Sequence, residues 1–186
     1  MKSMVFGIII GIVLVIITIM FVYYYNRLVT LSNQIDNSLS QIDVQLKKRS
    51  DLVPNLLASV KGYMKHERAV ISEVTEARKA LLGAKTIESK VKAGGQLESA
   101  LKSIFALAEN YPDLKANTNF LQLQQELSSI EDKVAYARQF YHAGILSYNN
   151  TCTTFPGTFF ARVYNRQQKQ FLKIAAEERA VPKVSF

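Results

Sequence analysis

The chain of 186 residues is predicted to be all-α, an N-terminal transmembrane helix continuing into an antiparallel long-helix bundle. Three observations carry that prediction. Met4 to Tyr25 is an unbroken run without a charged residue. After it, apolar residues recur at steps of three or four almost everywhere. No stretch shows the sustained period-two alternation of a half-buried strand.

The apolar run comes first. As a helix rising about 1.5 Å per residue, its 22 residues reach roughly 33 Å, enough to cross a hydrocarbon core of about 30 Å. A cleaved signal peptide has an apolar core of only about 7–15 residues and small residues at its cleavage site. This run is longer and ends in Tyr23, Tyr24 and Tyr25, which suit the headgroup level of a bilayer. Residues 1–26 are therefore read as a retained, single-pass anchor in the plasma or inner membrane. Lys2 flanks one side and Arg27 the other, so the charge rule nearly ties; Lys47, Lys48 and Arg49 tilt the following domain toward the cytoplasm. Gly7 and Gly11 form a GxxxG spacing through which two spans could approach closely.

Leu28, Leu31, Ile35, Leu39, Ile42 and Leu46 continue the helical pattern beyond the membrane. The simplest reading is a stalk helix ending near Ser50. Asp51 then reads as an N-cap with Pro54 in the first turn of a second helix, where its missing N–H costs nothing. That helix carries Leu56, Val60, Tyr63, Glu67, Val70, Val74, Ala77 and Leu81 on one face. Gly83, Gly94 and Gly95 mark residues 83–95 as a polar connection with some helical content. A shorter helix through Leu97, Leu101, Ile104 and Ala108 stops before Pro112.

The clearest pattern follows. Phe120, Leu123, Leu127, Ile130, Val134, Ala137, Tyr141, Gly144 and Tyr148 alternate steps of three and four, the seam of a bundle helix or coiled coil. Pro156 and Gly157 close it. A last helix is expected from about Thr158 to Glu177, and an extended tail over 179–186. Residues 27–178 thus form one up-and-down bundle domain. Gly62 and Gly144 each carry a propensity cost of up to about 1 kcal/mol inside a helix, which close helix–helix contact would offset.

Charge narrows the partners. Of 23 basic residues, 22 follow the span together with all 15 acids, leaving the domain at a formal +7. A basic domain tethered to a bilayer is drawn toward anionic headgroups. Zinc-finger spacing and RNA-binding aromatic motifs are lacking, so nucleic acid is not an expected partner. The bilayer and a protein partner or second copy are.

Little in the chain points to catalysis, and no cofactor is expected. His66-Glu67 begins like a zinc protease motif, but Val70 stands where the second histidine belongs. An enzyme with a metal site near His66, completed by His142, is the alternative reading. Cys152 has no visible catalytic partner and reads as a small, partly buried residue. Glu67, Arg78, Glu131 and Arg138 lie at or beside apolar faces, so an arginine–carboxylate contact between helices is expected. In the last helix Arg162, Arg166, Lys169 and Lys173 make a basic stripe, with Phe160, Tyr164, Phe171 and Ile174 on another face. Such a helix can lie on a membrane or on a partner.

Residues 41–56 (QIDVQLKKRSDLVPNL), 60–67 (VKGYMKHE), 109–117 (ENYPDLKAN) running on to Phe120, and 131–138 (EDKVAYAR) resemble the LemA family. Tyr148-Asn149, Phe155-Pro156 and the tail Pro182-x-Val184-x-Phe186 extend the resemblance over nearly the whole chain. Leu39 stands where tryptophan is usual, His142 where asparagine is, and Val163-Tyr164 where a Gly-Phe-like pair is. The resemblance implies a bacterial-type long-helix bundle on a membrane anchor, without an assigned reaction or cofactor. Related members associated with magnetosome membranes extend that implication to membrane organisation. The function expected is a non-catalytic, membrane-anchored scaffold or adaptor, able to self-assemble and involved in organising or remodelling the membrane.

Overall fold

One helix, α1 (Lys2–Lys61), carries the chain through the apolar run, the stalk and Pro54 without ending. The expected break at Ser50 does not occur. Proline removes the N–H that would bond the carbonyl four residues earlier, here Ser50. That carbonyl instead accepts a hydrogen bond of 2.8 Å from Nε of Arg78. A side chain 28 residues away thus satisfies the acceptor that Pro54 leaves open, and Asp51 is an interior residue of α1, not a cap.

The computed structural model describes residues 2–64 and 66–172. Among these, α1 is followed by α2 (Arg68–Gly83), α3 (Ile87–Ala108), α4 (Pro112–Lys115), α5 (Thr118–Thr153) and α6 (Gly157–Val163), with no strand. The chain divides into two compact units. The first, here the anchor unit, joins Met1–Asn37 to Phe140–Phe171; the second, the bundle unit, is centred on Ser38–Gln139. Lys173, Ile174 and the expected tail over 179–186 lie outside the described residues.

In the bundle unit, four helical segments alternate in direction. Residues 38–61 of α1 turn at Gly62 into α2, α2 turns at Ala84 into α3, and α4 leads into α5. Ile42, Leu46, Val53, Leu56 and Val60 of α1 are buried with Val74 and Leu81, with Leu97, Leu101 and Ile104, and with Phe120, Leu127, Ile130 and Val134. Removing such side chains from water is worth about 1.5–3 kcal/mol each. Gly62 lies in the turn after α1, in open space, so no helix contact offsets it. Tyr63 and Glu67 sit in that same reversal and not on the face of a helix.

Residues 83–95 are more helical than expected, since only 84–86 connect α2 to α3 and the helix begins at Ile87. Thr86 caps α3 through a reciprocal pair with Ser89, its side chain accepting from the Ser89 amide at 3.2 Å. Gly94 is then an interior residue facing α1, where a Cβ would come within 2.6 Å of Leu46 Cδ2. The glycine is a packing requirement, and its helix propensity misleads.

In the anchor unit, residues 28–35 of α1 run against residues 140–153 of α5, with Leu28, Leu31, Ile35, Tyr141, Ile145, Tyr148 and Cys152 buried. Gly144 meets Ile35 there, a Cβ falling 3.0 Å from its Cγ1. The close contact expected at Gly144 is present.

The expected helix from Thr158 to Glu177 is much shorter. α6 ends at Val163 in a Schellman turn. Asn165 takes a left-handed conformation (φ 52°). The Arg166 amide donates to Ala161 O at 2.8 Å and the Asn165 amide to Arg162 O at 3.1 Å. Residues 166–172 are non-helical.

Candidate membrane-facing site

Every residue from Lys2 to Ile19 is exposed, although nearly all of them are apolar. An uncovered apolar surface of this size belongs in a lipid or protein environment. α1 is the one helix among the described residues long and apolar enough to cross a membrane. Met4 begins the run. A Cβ added at Gly7 or Gly11 would meet nothing within 4 Å, so the face they share is open.

At the far end of the run the surroundings change. Tyr24 stacks on Phe160 with ring centroids 4.7 Å apart, and Phe21 meets Phe160 edge-on at 4.9 Å. Tyr164 packs on Phe21 and Tyr25, and its hydroxyl donates to Phe21 O at 2.7 Å. α6 is thereby fixed against the last turns of the span. Gly157 makes this possible, since a Cβ there would lie 2.1 Å from Thr151 O. Phe160 is only 5% exposed, while Phe155, Phe159 and Val163 remain 88%, 55% and 52% exposed. Tyr23 and Tyr25 are exposed as well.

The residues read as one basic amphipathic face are divided by the Schellman turn. Arg162 and Arg166 are exposed. Lys169 turns inward, its Nζ 3.0 Å from Ser32 Oγ, 3.7 Å from Asp36 Oδ1 and 5.6 Å from the centre of the Tyr148 ring. Its backbone is clamped by Asn149, whose Nδ2 donates to Lys169 O at 2.9 Å while its Oδ1 accepts from the Lys169 amide at 2.8 Å. The Tyr141 hydroxyl donates to Gln170 O at 3.3 Å, and Phe171 stacks on His142. Residues 166–171 are thus a strap fastened to the helices, not a free basic face. Periodicity could not show this; Asn165, a residue suited to left-handed helix ends, was the one available sign.

Three of the four residues read as ion-pair candidates, Glu67, Arg78 and Glu131, bind different groups. Glu67 accepts from the Tyr111 hydroxyl at 3.1 Å, which raises the Tyr111 phenol above its ordinary value. Arg78 holds Ser50 O, and Glu131 pairs with Lys102 at 3.0 Å. Arg138 is half-buried on α5. The arginine that is deeply buried is Arg49, 2% exposed. Its Nη1 donates to Gly94 O at 3.2 Å and lies 3.3 Å from Glu98 Oε2. Lys102 joins Glu98 at 2.9 Å. Burial alone would push the Glu98 carboxyl up, but the Lys102 hydrogen bond, the Arg49 charge and Glu131 together hold it below its ordinary value. The same bonds raise Lys102. No apolar spacing distinguishes Arg49 from its neighbours Lys47 and Lys48; only the facing Gly94 does.

The histidines weighed for chemistry fall in different units. His66 is exposed in the turn before α2, and His142 belongs to the other unit. Among the described residues no three of His, Cys, Asp and Glu gather as metal ligands. Cys152 is buried, and burial raises its thiol above the ordinary value, the opposite of an activated nucleophile. A groove of about 350 Å³ in the bundle unit is lined by Gln45, Lys48, Asp51, Leu52, Glu126, Ser129, Ile130 and Lys133. Its two lysines and two acids balance, and no histidine stands beside Ser129 in the lining to serve as its base.

The model of the LemA family matches residues 38–186. A protein LemA of Metamycoplasma hominis is 30% identical over 131 residues, covering 70% of this chain and 60% of its own length. Magnetosome protein MamQ of Magnetospirillum gryphiswaldense is 22% identical over 165 residues, covering 75% and 61%. Magnetosome protein MamQ 2 of Paramagnetospirillum magneticum is 21% identical over 175 residues, covering 80% and 64%. The chain spans about three fifths of the length of these relatives. None of their names denotes a reaction.

Proposed function

The chain belongs to the LemA family, and from that membership we propose that it works as a non-catalytic, membrane-anchored scaffold whose helical bundle binds a second copy or a partner protein at the cytoplasmic face of the cell membrane. The observation that carries this reading is the apolar run of α1, long enough to span and exposed throughout from Met4 to Ile19. A second feature supports the self-associating part. Tyr136 and Phe140, one turn apart on α5, are 62% and 69% exposed, and aromatic side chains of this kind are enriched in protein interfaces. The relatives named as magnetosome proteins support a role in membrane organisation.

The test is the mass of the full chain in detergent by light scattering, with metal content read on the same sample. A defined oligomer without stoichiometric metal is the expected result. A monomer carrying one equivalent of metal would overturn the scaffold reading and return attention to His66.

A further inference from the structure

We propose that α6 and the turn before it form an interfacial foot, with Phe155, Phe159 and Val163 seated in the headgroup region of the bilayer that the span crosses. The inference rests on the membrane reading above and adds a second point of lipid contact, at residues 155–163. It stands on where these residues are held. Phe21 and Tyr24 close the span, and both pack on Phe160. The Tyr164 hydroxyl ties the end of α6 to the Phe21 carbonyl. α6 therefore meets α1 at the level of the tyrosines that suit a membrane–water boundary.

At that level the exposed residues of α6 are apolar apart from Arg162. Phe160 and Ala161 turn inward, while Phe155, Phe159 and Val163 face outward. In water this arrangement would leave two phenylalanines and a valine exposed, forgoing the gain of burying them. At a bilayer surface the same side chains reach the boundary between headgroups and acyl chains. Arg27, Arg162 and Arg166 are exposed on the same elements, placed to meet lipid phosphates. The occupant is lipid because the patch is continuous with the span itself, which already requires a bilayer at that point.

The chain contains no tryptophan, so a single introduced one reports its own surroundings. The full chain is reconstituted into phosphatidylcholine–phosphatidylglycerol vesicles with or without brominated acyl chains. Three variants are compared: Phe159→Trp, Phe155→Trp and Ile16→Trp. Phe159→Trp and Phe155→Trp are expected to emit at shorter wavelength than free tryptophan in buffer. They should also lose fluorescence to bromines near the interface, at the depth of about 5–10 Å that an interfacial apolar face reaches. Ile16→Trp is expected to be quenched by bromines deep in the acyl chains. If Ile16→Trp is quenched but neither phenylalanine site is, the foot is wrong and the anchor stands. If Ile16→Trp is not quenched either, the membrane reading itself falls, and the foot with it.

Discussion

The two units are held together by different chemistry. The bundle unit is a seam of aliphatic side chains with one buried guanidinium, Arg49, linked through Glu98 to Lys102 and Glu131. The anchor unit relies on aromatic rings around Phe21, Tyr24 and Phe160, and on side chains that bind backbone, Asn149 at Lys169 and Tyr164 at Phe21. Aliphatic packing repeats with the helix and can be read at a distance along the chain. Contacts between a side chain and a distant backbone leave no period, so they must be seen in three dimensions.

The largest effect is expected where the bundle unit buries charge. Glu98→Ala leaves Arg49 in the core with only Gly94 O, and removing one partner of a buried pair costs about 3 kcal/mol. Thermal unfolding of the detergent-solubilised full chain should show a clear fall in Tm, and an unchanged Tm would mean that Arg49 is solvated. In the anchor unit, Gly157→Ala forces a methyl against Thr151 O. Overpacking of that kind costs about 2 kcal/mol, and faster hydrogen exchange confined to residues 157–171 is the expected signature. Exchange spreading equally into α3 would break the distinction between the units.

Smaller effects sharpen it. Asn149→Ala removes both hydrogen bonds to Lys169, at about 1 kcal/mol net for each. Proteolysis should then cut within 166–171 while α5 stays intact. Arg78→Met should cost about 1.5 kcal/mol by orphaning Ser50 O, since hydrogen bonds from charged donors sit near that value. In a Pro54→Ala background a backbone N–H is restored to that carbonyl, and the cost of Arg78→Met should nearly vanish. An additive double-mutant cycle would show that Arg78 acts elsewhere.

Glu98 is expected to contribute to the acid limb of stability. Its folded value lies below the ordinary 4.5, so it stabilises fully above about pH 4.5 and that contribution disappears as the pH falls below it. Glu98→Gln should flatten the dependence of Tm on pH in that range; an unaltered slope would assign the acid limb to other carboxyls.

Much of the helical framework was legible. The stripe from Leu28 to Leu46 and the seam from Phe120 to Tyr148 are the buried faces of α1 and α5, and the uncharged run Met4–Tyr25 is exposed from Met4 to Ile19. Two of the misreadings share one cause, which is that a residue's local preference was overridden by a partner distant in sequence. Pro54 looks like a helix start because Arg78 cannot be seen holding Ser50 O. Gly94 looks like a connection because its close approach to Leu46 is invisible. The terminal helix continues on paper because Phe171 and Ile174 keep its period, whereas Asn165 ends it. Of the candidate site, the tyrosine belt was apparent, but the seating of α6 on Phe21 and Tyr24 depends on a fold-back at Gly157 that no repeat encodes.

The retained span is the claim on which the rest depends. Its most direct test is the intact mass of the chain recovered from cell membranes after an alkaline carbonate wash. A chain still carrying Met4–Tyr25, found in the washed membranes, is the predicted result. A shortened chain lacking those residues, released into the soluble fraction, would contradict it.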